Sequence, residues 1–377
     1  MKIALVSPYD YATPGGVNAH ISNLAKEFTN YDHRVTILAP TSKAIDTDDY
    51  INFIGMGRPI PIPYGGSTAR LSISPWLIKR IRKLLADEKF DIIHLHEPLA
   101  PILPWLFLKT SNTVNIGTFH AFHEKSKYYY ITKSALRYWF KKLNGRIAVS
   151  ESAMNFVAEH FKSNYALIPN GIDINKFSMS TRSIEHLSNN QPTILFVGRI
   201  GEKRKGLKYL LKAYSYLKWN HPDLRLIIVG PGDLDKDCHR LLSEHNLSDV
   251  VFTGSVSETD LIKYYKSATI FCSPATGQES FGIVLLEAMA SGVPIIASSI
   301  QGYSAVVENG VQGLLVEPEN PLDLSKKLDF LLKNSTIRQY LSKEGPIRAS
   351  KFSWKNIASE VLAYYKETRI DWFREKK

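Results

Sequence analysis

Two glutamates eight positions apart, Glu279 and Glu287, frame the segment Glu279-Ser280-Phe281-Gly282-Ile283-Val284-Leu285-Leu286-Glu287. The apolar run reads as a helix that starts near Phe281–Ile283 and stops at Gly292-Val293-Pro294. The first amides of a helix have no helical acceptor and stand at the positive end of its dipole. The backbone of Phe281, Gly282 and Ile283 therefore suits a diphosphate. Glu287 lies about 9 Å further along the axis at helical rise. The order carboxylate, anion site, carboxylate matches the hydroxyls, phosphates and hydroxyls of a sugar–diphosphate–ribose ligand. A capped helix with two incidental glutamates has the same spacing, so this segment needs support from elsewhere.

A second element supplies it. Gly198-Arg199-Ile200-Gly201-Glu202-Lys203-Arg204-Lys205-Gly206 follows a strand and precedes a helix from Leu207. Four cations in a glycine-bounded strand-to-helix loop suit phosphate better than an ordinary solvated loop does. A third element, Tyr11-Ala12-Thr13-Pro14-Gly15-Gly16-Val17, joins the first strand to the first helix. Its paired glycines let a ligand approach the backbone. The G-x-G-x-x-G dinucleotide fingerprint is missing there, which argues against a nicotinamide or flavin enzyme. His94-Leu95-His96-Glu97, with His120 and His123, hints at a metal, but further ligands are not evident. Asp233-Leu234-Asp235 follows Gly230-Pro231-Gly232 and reads as a turn and helix start. No metal held by the protein is expected.

These groups need rigid elements behind them. Short apolar runs read as strands at Ile3–Ser7, Arg34–Ala39, Asp91–His96, Val114–Phe119 and Arg146–Ser150. The series resumes at Thr193–Gly198, Arg225–Gly230, Val250–Gly254, Thr269–Ser273, Pro294–Ser298 and Gly313–Val316. Amphipathic helical segments alternate with them, such as Val17–Asn30 with Val17, Ile21, Leu24 and Phe28 on one face. The pattern predicts α/β architecture with parallel sheets covered on both faces. Two doubly wound, Rossmann-like domains are expected: residues 1–171 plus 354–377, and residues 172–353. The tail from Ser353 forms a helix that returns to the first domain. Ligands of such sheets bind at the carboxyl ends of the strands.

The 377 residues, 44% hydrophobic and 22% charged, suit two cores and exclude a disordered or fibrous chain. No apolar stretch reaches a membrane span; the longest, Ala100 to Leu108, is broken by Pro101 and Pro104. The start, Met1-Lys2-Ile3-Ala4-Leu5-Val6, reads as a buried strand rather than a leader. Two distant cysteines, Cys238 and Cys272, make a disulfide framework unexpected and the cytosol the natural compartment. A net charge of +11 favours polyanionic partners. The chain carries no nucleic-acid-binding module, so nucleic acid is not an expected partner.

Taken together, the Pro14-Gly15-Gly16 loop, Asp91-Ile92-Ile93-His94-Leu95-His96, Thr118-Phe119-His120, Ile168-Pro169-Asn170-Gly171-Ile172-Asp173, Gly198-Arg199 and the Glu279…Glu287 pair resemble the retaining glycosyltransferases of family four, with the GT-B fold. Within it the likeness is to bacterial phosphatidylinositol mannosyltransferases, carried by Pro8-Tyr9, Pro61-Ile62-Pro63-Tyr64, His96-Glu97-Pro98 and Arg146-Ile147-Ala148-Val149-Ser150. The resemblance implies a deep cleft between an acceptor-binding first domain and a donor-binding second one. It implies that Arg199 and Lys205 grip the donor diphosphate, Glu287 the ribose, and Glu279 a sugar hydroxyl. Gly15 and Gly16 would border the phosphates, and His120 would contact the sugar near the reacting carbon. The activity implied is transfer of a hexose, mannose from GDP-mannose, with retention of configuration. No tightly bound cofactor is implied; a divalent ion in solution is left open.

For the acceptor, Tyr9, Tyr64, Arg70, Lys125 and Arg204 are the candidates to hold a lipid phosphate. Gly65 and Ala121 depart from the family's pattern, so another lipid or a soluble acceptor stays open. The sequence does not choose guanine from uracil in the donor, so a UDP-sugar stays open as well. A helix over Pro75–Glu88 has an apolar face of Leu77, Ile78, Ile81, Leu84 and Leu85 beside Lys79, Arg80, Arg82 and Lys83, with Trp76 at one end. That pattern fits a helix on an anionic membrane as well as an ordinary domain helix with a solvated basic face. The expectation is a cytoplasmic protein, peripheral on the inner face of the membrane. A non-catalytic nucleotide-sugar-binding module is the competing reading outside enzymology.

Overall fold

The computed structural model describes residues 1–46, 51–64, 67–122, 127–179 and 191–375. The chain divides into two compact units: Met1–Gly171 with Trp354–Lys377, and Ile172–Ser353.

The first unit holds strand β1 (Lys2–Val6), helix α1 (Gly16–Asn30), β2 (Arg34–Ala39), β3 (Asn52–Gly55), β4 (Ile60–Tyr64), β5 (Ser67–Leu71), α2 (Leu77–Glu88), β6 (Ile92–His96), α3 (Leu103–Thr110), β7 (Val114–Phe119), α4 (Lys127–Phe140), β8 (Gly145–Ala148), α5 (Glu151–His160) and β9 (Ala166–Leu167). Seven parallel strands form one sheet in the order β3-β2-β1-β6-β7-β8-β9. Its central strands are apolar on both sides because helices cover both faces. On one side Ile21, Leu24 and Phe28 of α1 pack with Ile3, Leu5 and Ile37. On the other, Leu77 and Ile81 of α2 pack with Ile93, Leu103 and Phe107.

Four of these strands escaped the sequence reading. β3 is a four-residue edge strand that pairs with β2 alone. β4 and β5 form a separate antiparallel hairpin, with Ile60 opposite Leu71 and Ile62 opposite Ala69. Pro61 and Pro63 hide β4 from propensity, since proline is tolerated only where a strand has a free edge. β9 is two residues long.

The second unit holds α6 (Ile174–Ser178), β10 (Thr193–Val197), α7 (Leu207–Leu217), β11 (Arg225–Val229), α8 (Lys236–Glu244), β12 (Val250–Gly254), α9 (Glu258–Ser267), β13 (Ile270–Ser273), α10 (Ile283–Ala290), β14 (Ile295–Ser298), α11 (Gln301–Ser304), β15 (Gly313–Val316), α12 (Pro321–Lys333) and α13 (Ser335–Ser350). Its six-stranded parallel sheet runs β12-β11-β10-β13-β14-β15. Asp235 caps α8 by accepting the Cys238 N–H, so the Asp233-Leu234-Asp235 segment is the turn and helix start expected of it.

The last helix, α14 (Trp354–Glu375), belongs to the first unit. Trp354, Ile357, Val361 and Tyr365 enter the core shared with α1. Tyr364 accepts the Arg146 N–H at 2.9 Å. A Cβ on Gly171 would stand 2.5 Å from the Trp354 ring, so glycine is required where the helix docks. No described helix is long and apolar enough to cross a membrane.

In both sheets the strand order reverses beside the first strand, between β1 and β6 and between β10 and β13. The loops leaving those strands are where ligands of open α/β sheets bind. The sequence candidates at Gly15-Gly16, Arg199–Lys205 and Glu279 all sit on them.

Candidate active site

In the second unit the loop after β10 meets the loop after β13. Gly206 makes this contact: it is left-handed, at φ +74°, and a Cβ there would lie 1.8 Å from the Pro274 carbonyl oxygen. The Thr276 N–H donates to the Arg204 carbonyl at 2.8 Å. Residues more than seventy positions apart are thereby brought together. Lys205 Nζ and Arg204 both lie 2.6 Å from Oε1 of Glu279. Arg204 also reaches Oε2 of Glu202 at 2.6 Å and the Gln278 carbonyl at 3.2 Å. Arg199 pairs with Glu202 at 3.2 Å, with its side chain 58% exposed. The result is a row of three cations held by two carboxylates, Arg199 at the open end. Arg204 was grouped with the acceptor residues by resemblance; it stands in the second unit, on Glu279 beside Lys205.

The helix begins at the end of the range the sequence suggests. α10 starts at Ile283, with Gly282 as its N-cap at φ +79°. A Cβ on Gly282 would lie 2.7 Å from the Tyr303 ring. The Phe281 side chain is buried, edge-on to Phe352 at 5.9 Å. The free amides of the first turn therefore begin at Ile283. Glu287 follows one turn on and is half-buried. It accepts the Tyr265 hydroxyl at 2.8 Å. Burial raises its pKa to about 7, against the lowering effect of that hydrogen bond.

In the first unit the loop after β1 is braced from within. Asp10 accepts the hydroxyls of Thr13 and Ser42, and Asn18 donates to the carbonyls of Asp10 and Thr13. The loop ends at Gly15 and Gly16. Gly15 is extended, at φ −173°, and neither glycine has a positive φ. A Cβ on either would meet no atom within 4 Å. Their backbone borders open space, so the chain's own fold does not require glycine there.

Four histidines gather behind this loop. His94 is buried between the Tyr365 hydroxyl and the Thr118 hydroxyl, 2.6 Å from each. His96 Nδ1 lies 3.0 Å from His120 Nε2. His20 Nδ1 lies 2.9 Å from Asn170 Oδ1, and its ring stands edge-on to His120 at 4.9 Å. Burial holds all four imidazoles below their usual range, His20 down to about 4 and His94 to about 3. They are neutral at physiological pH. Nitrogens of His20, His96 and His120 lie within 4.8 Å of one another.

Glu97, which in the sequence is only part of the histidine motif, holds the backbone at this edge. It is buried at φ +50°, and its Oε1 accepts the N–H groups of His120 and Ala121, each at 2.7 Å. Burial raises its pKa to about 7 although those two hydrogen bonds oppose the rise. The spacing of a carboxylate directly after a strand's alternating histidines was the available signal. Glu97 also lines a cavity of about 260 Å³ whose other walls include Tyr9, Leu71, Leu99, Ala121 and Phe156. Arg70 is exposed and 3.4 Å from the Thr13 hydroxyl. Tyr64 closes the β4–β5 pairing opposite Ser67, and its side chain is outside the described residues, as is all of Lys125.

The helix over Leu77–Glu88 packs its apolar face inward. Leu77 and Ile81 are buried in the unit's own core, with Leu84 and Leu85 packed against it. The apolar face is already used. What α2 turns outward is Lys79, Arg80, Arg82 and Lys83, with Trp76 85% exposed at its start.

Two doubly wound α/β units with a cationic loop, a helix start and two placed glutamates define a GT-B glycosyltransferase. The match to known families is direct. Residues 14–176 match the model described as Glycosyltransferase Family 4, and residues 179–348 match Glycosyl transferases group 1. The phosphatidyl-myo-inositol mannosyltransferase of Mycobacterium tuberculosis is 36% identical over 370 residues, covering 97% of this chain and 96% of that protein. The enzyme of the same name from Propionibacterium freudenreichii is 29% identical over 97% of this chain and 94% of its own. Among solved structures, a glycosyltransferase from Rickettsia africae superposes with a TM-score of 0.77 at 21% identity, covering 97% of this chain and 98% of that one. Anabaena HepE in complex with UDP gives a TM-score of 0.79 at 18% identity, covering 97% and 100%. The chain belongs to the family-four glycosyltransferases.

Proposed function

We propose that this enzyme transfers mannose from GDP-mannose, with retention, to a hydroxyl of a phosphatidylinositol-type lipid at an anionic membrane surface. The single observation that carries the reading is the triad in which Lys205 and Arg204 both hold Glu279 beside the start of α10. It supplies cations for a diphosphate and a carboxylate for a sugar hydroxyl within one hydrogen-bonded group. The relatives' name supports mannose and the inositol lipid as the first substrates to try.

In this reading Arg199 and Lys205 hold the two phosphates, aided by the first-turn amides from Ile283. Glu287 accepts from the ribose hydroxyls and Glu279 from a hydroxyl of the sugar. Gly15 and Gly16 leave room beside the phosphates, and His120 meets the sugar. Tyr9 and Arg70 receive the acceptor, and the basic face of α2 meets the lipid surface. As the glycosidic C–O bond to the diphosphate breaks, the acceptor oxygen bonds to the same carbon from the same face. The departing phosphate oxygen takes the acceptor's proton. The protein's part is to position both substrates and to stabilise charge on the leaving diphosphate. No tightly bound cofactor or protein-held metal enters this scheme. A divalent ion from solution, if used, would pair with the diphosphate.

One observation favours a second reading of the acceptor. Gly65 and Ala121 depart from the mannosyltransferase pattern, and Ala121 lines the largely apolar cavity beside Glu97. The second reading is a different lipid or a soluble acceptor; separately, a UDP-hexose in place of GDP-mannose is the alternative donor. The test is product formation from labelled GDP-mannose, UDP-glucose and related donors, with vesicles containing phosphatidylinositol among the acceptors. Mannose on the lipid supports the first reading. Another donor or acceptor supports the second. Nucleotide-sugar binding without any turnover would overturn both.

A further inference from the structure

His96 and His120 share one proton-bearing contact, and its direction decides what His120 offers a ligand. Each neutral imidazole has a single N–H and a single lone pair. Between His96 Nδ1 and His120 Nε2, 3.0 Å apart, one nitrogen must donate and the other accept. The other nitrogen of His96, Nε2, is buried and has no partner among the described residues.

Two arrangements are available. If His120 donates from Nε2, His96 must carry its proton on Nε2, where a buried N–H would point at nothing. If His96 donates from Nδ1, its Nε2 is a bare lone pair. Orphaned buried N–H groups are rarer than under-satisfied acceptors. The second arrangement leaves His120 Nε2 as acceptor, so the remaining His120 proton sits on Nδ1.

We infer that His96 is a positioning residue that fixes His120 in the Nδ1–H tautomer, so that His120 meets the sugar nucleotide as a hydrogen-bond donor and not as a base. The inference rests on the proposed contact between His120 and the donor sugar only for its catalytic consequence. The surroundings reinforce it. Glu97 accepts the N–H groups of His120 and its neighbour Ala121, and the edge-on His20 ring limits rotation of the imidazole. Burial keeps both rings neutral, so neither gains a second N–H near pH 7. The same 3.0 Å contact also argues against a metal among His20, His96 and His120, because the hydrogen bond already uses the His120 Nε2 lone pair.

The test is nitrogen-15 NMR of the full-length chain labelled at histidine, with the His120 signals identified by their loss in His120→Asn. The expected result is a protonated Nδ1 and a bare Nε2, unchanged when Zn²⁺ is added. A proton on Nε2, or a stoichiometric Zn²⁺ shift of these signals, would overturn the inference. Kinetics with GDP-mannose and phosphatidylinositol vesicles form the second arm. His96→Phe should lower kcat by about ten- to a hundredfold with donor KM within about twofold, and His96→Gln, which keeps an N–H, should recover most of the loss. Equal losses in folded Phe and Gln variants would count against a positioning role. The NMR arm reads the tautomer whatever sugar or acceptor the enzyme prefers, so failure of the substrate assignment is separable from failure of this inference.

Discussion

Lys205 Nζ lies 2.6 Å from Oε1 of Glu279, although the two residues belong to loops after different strands. Lys205 is the ammonium group proposed above to hold a donor phosphate. A charge-assisted hydrogen bond contributes about 1.5–3 kcal/mol. Lys205→Ala should therefore lower kcat/KM by about ten- to a hundredfold. The melting temperature should stay within about 2 °C of the parent, since Arg204 still holds Glu279. Normal turnover in a well-folded variant would remove Lys205 from the phosphate site.

Two glycines offer a paired contrast. Gly16 borders open space with ordinary backbone angles, whereas Gly282 has φ +79° and Tyr303 where a Cβ would go. Gly16→Ala should leave stability unchanged and raise the KM for the nucleotide sugar. Gly282→Ala should destabilise the second unit by roughly 1–3 kcal/mol, from backbone strain and the clash. Thermal melts with donor titrations separate the two effects.

Glu287 predicts a pH signature. Its folded-state pKa is raised by burial to about 7 from an ordinary value of 4.5. Between those values the folded chain binds more protons than the unfolded one. Its contribution to stability thus falls as pH rises from about 4.5 to about 7 and then levels off. The ionised form is the better acceptor for ribose hydroxyls, so nucleotide affinity should rise through the same upper limit. Glu287→Gln, which can keep a bond to Tyr265, should flatten the affinity profile and remove one falling contribution to stability; Glu97, raised to about 7 as well, still adds a fall, and the four buried histidines, held below their usual range, add an opposing rise up to about pH 6.5. Calorimetric titration with GDP and melting across this pH range measure both.

The outward face of α2 carries charge without carrying the core. Replacing Lys79, Arg80, Arg82 and Lys83 with Gln should leave the melting temperature nearly unchanged. Partition onto anionic vesicles should weaken by up to about 4 kcal/mol, at about 1 kcal/mol per basic residue. Ile81→Asp should do the opposite kind of damage, because Ile81 is buried in the core of the first unit. Vesicle sedimentation at low and high salt distinguishes an electrostatic loss from unfolding.

Much of the fold was legible from period and composition. β2, β7, β12 and β15 have the bounds their apolar runs suggested, and α1 begins one residue earlier than its amphipathic face did. Parallel strands buried on both faces advertise themselves through uninterrupted Val, Ile and Leu. The edge strand β3 and the proline-bearing β4 do not, because partial burial leaves no such run. The same physics explains α2: a five-residue apolar stripe identifies a face that must be covered, but the pattern is identical whether lipid or the protein's own core covers it. The packing of Leu77 and Ile81 gives the latter answer.

The chemistry divides in a similar way. Local sequence determined which groups are available: cations between Gly198 and Gly206, a helix after Gly282, glutamates at 279 and 287, histidines alternating along β6. It could not determine which of them meet, because contacts across the sheet depend on strand order. The tertiary structure alone joined Arg204 to Glu279, packed Tyr303 against Gly282 at the start of α10, and set His96 against His120. Hydrogen bonds between residues many positions apart form only after β10 and β13, and β6 and β7, lie side by side.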